Sequence, residues 1–247
     1  MKAGVATDIG LVRNINQDSY YCSAVTGSLF LYIVADGMGG HNGGEIASKT
    51  SVETIRCFIE THQDKTGYLE DRLYMIKEAM SRANREVYSH AMSTEGLEGM
   101  GTTLTMALIE GKKLHIGHIG DSRMYLMRNG ECEKLTEDHS LVAELIKKGS
   151  ISPEEGDKHP QKNIITKALG TDRLVEMDLL TKDLRDGDLI LLCTDGLTNM
   201  LDLDDIVSMC RVEDNPQSLS EALVEKANSK GGRDNITVIA VKVGWDK

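Results

Sequence analysis

The sequence predicts an α/β layered sandwich, two packed antiparallel β-sheets flanked by α-helices. Three observations carry that reading. Runs of β-branched and aromatic apolar residues recur along the chain, bounded by Gly, Asp and Asn. Two long segments with helical spacing stand together in the first half. Consecutive strand-like runs in the middle are joined by connections too short for a parallel crossover.

In chain order, the first strong strand signal is 29–35 (LFLYIVA). Helical spacing follows over 44–60, where Ile46, Ala47, Val52, Ile55 and Ile59 recur, and over 69–92 through Leu73, Ile76, Ala79, Met80, Ala83 and Val87. Strands resume at 102–109 and 113–119. Only Glu110-Gly111-Lys112 separates these two, so they form an antiparallel hairpin, which excludes a doubly wound parallel sheet here. Residues 124–127, 189–193 and 236–243 supply further strands, and 141–146 and 219–227 further helices. Residues 149–171 carry Pro153, Pro160, several charges and little periodicity. They read as a surface flap of the kind that contacts substrate beside a site. With no internal repeat and no linker-like tract, residues 1–247 are expected to form a single domain.

Composition narrows the function classes. Lys and Arg total 28 against 39 Asp and Glu, a formal net charge of -11, which disfavours nucleic acid and anionic membrane as partners. The opening residues MKAGVATD lack the apolar core of a signal peptide, and 29–35 is too short to span a bilayer. The expectation is a cytoplasmic protein without membrane insertion. Cys22, Cys57, Cys132, Cys193 and Cys210 are scattered and form no CxxC pair, which argues against disulfides and zinc.

The chemistry is written in four aspartates placed against apolar runs. Asp36 closes LYIVA and opens Gly37-Met38-Gly39-Gly40-His41; Asp195 closes LILLCT and opens Gly196-Leu197; Asp121 follows HIGHIG; Asp234 sits just before the run from Ile236. A strand end is a rigid mount, and a following glycine lets the backbone turn close to a ligand. Taken singly, each is an ordinary turn former or helix cap. Four converging carboxylates, however, cannot all ionise in a poorly solvated cleft without cations. Oxygen ligands without thiolates point to Mg²⁺ or Mn²⁺.

Six motifs then stand in order along the chain: RNINQD (13–18), VADGMGGH (34–41), MGTT (100–103), IGDSR (119–123), CTDGL (193–197) and GRDNIT (232–237). Together they resemble the protein phosphatase 2C family, the metal-dependent Ser/Thr protein phosphatases, in its compact bacterial form. The resemblance runs from about residue 3 to 243. It implies a catalytic domain with a binuclear Mn²⁺ or Mg²⁺ centre at one edge of the sandwich, acting as a monomer on phosphorylated proteins and opposing a Ser/Thr protein kinase. On the matching positions, Asp36 bridges two metals, Gly37 offers its carbonyl, and Asp195 and Asp234 complete the centre. Asp18 acts through metal-bound water, and Asp121 with Asp195 holds a third, looser ion. The implied mechanism is direct attack of metal-activated water on phosphorus, with Arg13 clamping the phosphate.

The chain departs from eukaryotic members at two of these positions. Met38 stands where they carry a histidine, and Gln17 where they carry a metal-binding glutamate. Met38 cannot donate a proton, so His41 becomes the nearest candidate general acid. Two other readings compete. Ser122 in GDSR, with His118 or His139 as base, would make a serine hydrolase, but no G-x-S-x-G elbow surrounds it. A regulatory module on the same fold would have lost a metal aspartate or the arginine, and Arg13, Asp36, Asp195 and Asp234 are all present.

Overall fold

The computed structural model describes residues 1–23, 29–40, 43–63 and 71–245. The first half runs β1 (Lys2–Asp8), β2 (Asp18–Cys22), β3 (Leu29–Met38), α1 (Gly43–His62), α2 (Arg72–Ser93), β4 (Gly101–Thr102), β5 (Leu104–Glu110) and β6 (Lys113–Ile119). The second runs β7 (Arg123–Arg128), β8 (Glu131–Lys134), α3 (Leu141–Lys147), α4 (Pro153–Asp157), β9 (Asp178–Asp183), β10 (Leu189–Cys193), α5 (Asp195–Thr198), α6 (Leu203–Val212), α7 (Pro216–Ser229) and β11 (Ile236–Lys242). One sheet has the order β1-β11-β10-β7-β8, the other β2-β3-β5-β6-β9 with β4 appended to β3, and every pairing is antiparallel.

The long apolar runs follow from burial on both faces. In β3, Leu31, Ile33 and Ala35 pack against α1 and α2, while the alternate Tyr32 and Val34 meet the other sheet. In β10, Leu191 and Cys193 pack against α5 to α7, and Ile190 and Leu192 face inward; β11 does the same with Val238 and Ala240 outward, Ile239 and Val241 inward. The molecule therefore has helix–sheet–sheet–helix layers, as the hairpin argument predicts.

That period of two also positions the polar residues. Asp36 lies two beyond Val34, Thr194 two beyond Leu192, and Thr237 two before Ile239. All three thus fall on the inter-sheet side, at one end of the central core. Asp36 does not close its strand, as the apolar run suggests, because β3 continues to Met38 through the β4 pairing Gly37↔Thr102 and Met38↔Gly101.

The strands that apolar patterning overlooks are β1, β2, β8 and β9, which are the four outer strands of the two sheets. Edge strands are half-buried or exposed along much of their length, so they lack the continuous hydrophobic signal of central ones. The flap of 149–171 divides in two. Its first part includes α4, capped by Ser152 and Glu155 in a reciprocal capping box. Its last part is fixed to the body, with Ile165 bridged to Ser140, Leu169 bridged to Thr102 and Leu169 buried in the helix-side core. Among the described residues, no helix is long and apolar enough to cross a membrane.

Candidate metal centre

Two close backbone approaches assemble the site. A Cβ on Gly37 would lie 2.0 Å from the Gly44 carbonyl oxygen, so the N-terminus of α1 can press against the end of β3 only because both residues are glycine. A Cβ on Gly196 would lie 1.9 Å from the Asn235 carbonyl oxygen, which brings the first turn of α5, with Asp195, against the Asp234–Asn235 segment. Asp18 joins through sheet register, as the direct partner of Asp36 in the β2–β3 pair.

The carboxylates are only half satisfied. Asp18 Oδ2 accepts from the hydroxyls of Thr194 (2.9 Å) and Thr237 (2.7 Å), but its Oδ1 is buried with no partner. Asp195 Oδ2 accepts from Asn199 Nδ2 at 2.8 Å, and its Oδ1 is likewise buried and unpartnered. Asp121 Oδ1 is a third orphan. Asp234 accepts from Arg13 Nη2 at 2.7 Å and from the Asn235 N–H at 2.9 Å.

Electrostatics reflect this crowding. Burial, with Asp195 and Asp234 nearby, lifts Asp18 to about 7 despite the two threonine donors. Burial and the charge of Asp195 lift Asp121 to about 7. Asp36 is pushed well above the usual carboxylate range by burial and then by Asp18 and Asp195, and Asp195 is raised by burial and Asp234. Carboxyls raised in this way hold protons that suppress their mutual repulsion. Cations can discharge the same repulsion.

The orphan oxygens test whether a metal fits. Buried carboxylate oxygens without donors cost several kcal/mol each at the order-of-magnitude level unless a proton or cation meets them. The donor set is all oxygen, which suits Mn²⁺ or Mg²⁺. Among the described residues, no three carboxylate, imidazole or thiolate side chains close on one point as a single ion's ligand set. Each ion would therefore complete its shell with carbonyl oxygen and water, as hard, reluctantly dehydrated cations do.

Arg13 is more than half exposed at the rim, bound to Asp234, which also raises its pKa. Gln17 donates from Nε2 to the Gly39 carbonyl at 3.5 Å, and its backbone N–H donates to Asn235 Oδ1. His41 lies outside the described residues. A cleft of about 800 Å³ opens beside Asp121 and Asp195, bordered on its far side by α3, Gly156 and the 162–167 segment.

The histidines and the serine settle into structure. His118 Nε2–H donates to the Glu137 carbonyl (2.9 Å) and Nδ1 accepts from the Thr105 hydroxyl (2.9 Å), while burial lowers its pKa to about 4. His139 Nδ1 accepts from the Gly120 N–H, and its Nε2–H faces Asp178 Oδ2 at 3.2 Å. Ser122 Oγ is buried against Thr103 Oγ1 at 2.8 Å, with neither histidine as its partner, so Ser122 lacks the base a serine nucleophile needs.

Several residues of the site carry no assigned role in the sequence pattern. Thr194 and Thr237 hold Asp18, Asn199 holds Asp195, and buried Asn235 ties the entry loop. Two sequence signals bear on them: Thr194, Asn235 and Thr237 fall inside CTDGL and GRDNIT, and Thr194 and Thr237 take inward parity on β-runs.

A sequence profile of the protein phosphatase 2C family matches residues 12–225. The serine/threonine phosphatase stp of Listeria monocytogenes is 38% identical over 244 residues, covering 98% of this chain and 96% of that protein. The solved structure of the serine/threonine phosphatase Stp1 from Staphylococcus aureus matches with a TM-score of 0.91 at 32% identity, covering 99% of this chain and 96% of that one. The catalytic domain of the serine/threonine protein phosphatase PstP, solved in complex with two manganese ions, matches with a TM-score of 0.86 at 35% identity over 99% and 98% of the two chains.

Proposed function

The chain belongs to the protein phosphatase 2C family and is a metal-dependent serine/threonine protein phosphatase; on that premise we propose that the aspartate cluster is its catalytic centre. Asp36, Asp195, Asp234 and the Gly37 carbonyl would hold two Mn²⁺ or Mg²⁺ ions, and Asp121 with Asp195 a third. The ions would supply charge neutralisation and an acidified water for in-line attack on phosphorus. The observation that carries this reading is the set of three buried, unpartnered carboxylate oxygens on Asp18, Asp121 and Asp195 around Asp36.

The protein's own residues do the rest. Asp18, held on one oxygen by Thr194 and Thr237, would offer its buried, unpartnered Oδ1 to water in the centre. Arg13 keeps one arm on Asp234 and offers its solvent-facing edge to the phosphoryl oxygens, a planar fork suited to them. His41 is the candidate proton donor to the leaving alkoxide. Residues 149–171 act as the flap of this single catalytic domain, over the cleft where polypeptide flanking the phosphoresidue would lie. Its substrates would include phosphoproteins made by a Ser/Thr kinase that it opposes, in the cytoplasm and as a monomer.

The test is an EDTA-stripped enzyme titrated with Mn²⁺, read by calorimetric stoichiometry and by turnover of phosphoserine and phosphothreonine peptides. Two tight equivalents, a weaker third lost in Asp121→Asn, and no turnover in EDTA are expected. Full activity in chelator would sink the reading.

A further inference from the structure

The loop between β1 and β2 joins two features that rarely coincide. Its backbone is held at many points. Gly10 N–H donates to Asp8 Oδ1 (2.8 Å) and Leu11 N–H to the Gly232 carbonyl (2.7 Å). Asn235, only 4% exposed, donates to the carbonyls of Ile9 (2.9 Å) and Ile15 (3.0 Å) and accepts from Gln17 N–H (2.8 Å). Yet its side chains are apolar and open to solvent, with Leu11 at 69%, Val12 at 64%, and Ile9 and Ile15 also exposed.

Single exposed apolar residues need no explanation, but clusters do. Four of the eleven large hydrophobic residues exposed among the described residues fall within the seven residues from Ile9 to Ile15. A loop that stabilised itself by burial would turn these side chains inward; this one spends a buried asparagine to keep its backbone fixed while they face out. The location explains the arrangement. The Leu11 side chain lies over Gly232, whose Cβ position would be 3.0 Å from Leu11 Cγ, and Arg13 binds Asp234 two residues on. The patch is thus continuous with the rim of the aspartate cluster.

We propose that Leu11 and Val12 form an apolar ledge that receives an apolar side chain of the substrate polypeptide, close in sequence to the phosphoserine or phosphothreonine that Arg13 engages. The occupant is argued from continuity: a phosphoresidue held at Arg13 carries its neighbouring residues across this loop, since successive residues advance only about 3.3 Å. The ledge selects protein substrates by contact outside the reacting group and complements the flap side of the cleft. It rests on the reading of Arg13 as the phosphate-binding residue.

The experiment compares wild type with the double variant Leu11→Ser/Val12→Ser on three substrates: a phosphothreonine peptide carrying Leu at successive flanking positions, the same peptide with Ser instead, and p-nitrophenyl phosphate. Both side chains are exposed and the bonds holding the loop come from backbone groups, Asn235 and Asp8, so the variant keeps its fold. For the best Leu-containing peptide kcat/KM should fall about tenfold, mainly through KM, as expected for losing one apolar contact. The Ser peptide and the aryl phosphate should change less than twofold. Equal rates on all three substrates, or the same loss on all three, would overturn the proposal. Wild-type aryl phosphate turnover and its loss in Arg13→Ala report on the underlying site reading separately, because that readout does not involve the ledge.

Discussion

Two buried polar regions lie side by side behind the cleft and are built on opposite principles. In the aspartate cluster, Asp18, Asp121 and Asp195 each leave an oxygen unpartnered, and Asp36 is driven far up in pKa. In the neighbouring network every side chain finds its complement. Asp138 takes Arg123 Nε and Nη2 (3.0 and 2.7 Å) and Lys134 Nζ (2.7 Å), and although burial opposes it, these cations hold it below the usual carboxylate range. His118 sits neutral between Thr105 and Glu137, and His139 clasps Gly120, the residue before Asp121. The same chain can thus satisfy buried polarity completely. Where it does not, the unmet carboxylates are the charge that a bound cation would neutralise, and the satisfied network holds Gly120, next to Asp121, in place.

The contrast breaks most visibly under Asp36→Asn. Turnover should fall more than about 10³-fold, while the chelator-treated protein becomes more stable by about 1 kcal/mol, because a repelling carboxyl is gone. Thermal melts in EDTA and phosphopeptide assays in Mn²⁺ check both signs. A destabilised variant would mean that the cluster is structural after all.

Asp138→Asn is the mirror experiment. It leaves Arg123, about a third exposed, beside a neutral amide, and urea unfolding should show a loss of about 2 kcal/mol that saturating Mn²⁺ does not remove. If Mn²⁺ rescued it fully, the two regions would act as one.

Proton linkage gives a third, smaller discriminator. Asp18 and Asp121 have folded pKa values near 7, above the unfolded value of about 4, so their contribution is full at low pH and is lost as pH rises through about 7. Stabilisation by Mn²⁺ should therefore be larger at pH 8 than at pH 5, measured by thermal shift. His118 has the opposite sign. Its folded pKa of about 4 lies below the unfolded value, so its contribution holds at neutral pH and is lost as pH falls through about 4. Ring NMR should find His118 neutral at pH 6, with and without Mg²⁺. A Mg²⁺-dependent change of its protonation would couple the two regions directly.

The legible part of the fold follows burial. Central strands such as β3, β10 and β11 are apolar on both faces and announce themselves, whereas β1, β2, β8 and β9 lie at sheet edges with mixed faces and were silent. Helices α1 and α2 are legible from their buried stripes, while α6, with Ile206 alone fully buried, is not. At the site, Asp36, Asp121, Asp195 and Asp234 stand out because each interrupts or abuts an apolar run. Thr194, Thr237, Asn199 and Asn235 look like ordinary polar residues until their partners, up to 226 positions away in the chain, are known.

The sequence by itself determined the layered sheets, through strand period and hairpin length, and pointed to the chemistry through six ordered motifs that resemble the protein phosphatase 2C family. Only the tertiary structure decided that Asp36 sits within its strand, that Asp18 faces it across the sheet, and which carboxylate oxygens go without donors. The physical reason is that periodicity is a local property of the backbone, whereas the satisfaction of a buried charge depends on atoms that distant strands and helices deliver to the same point.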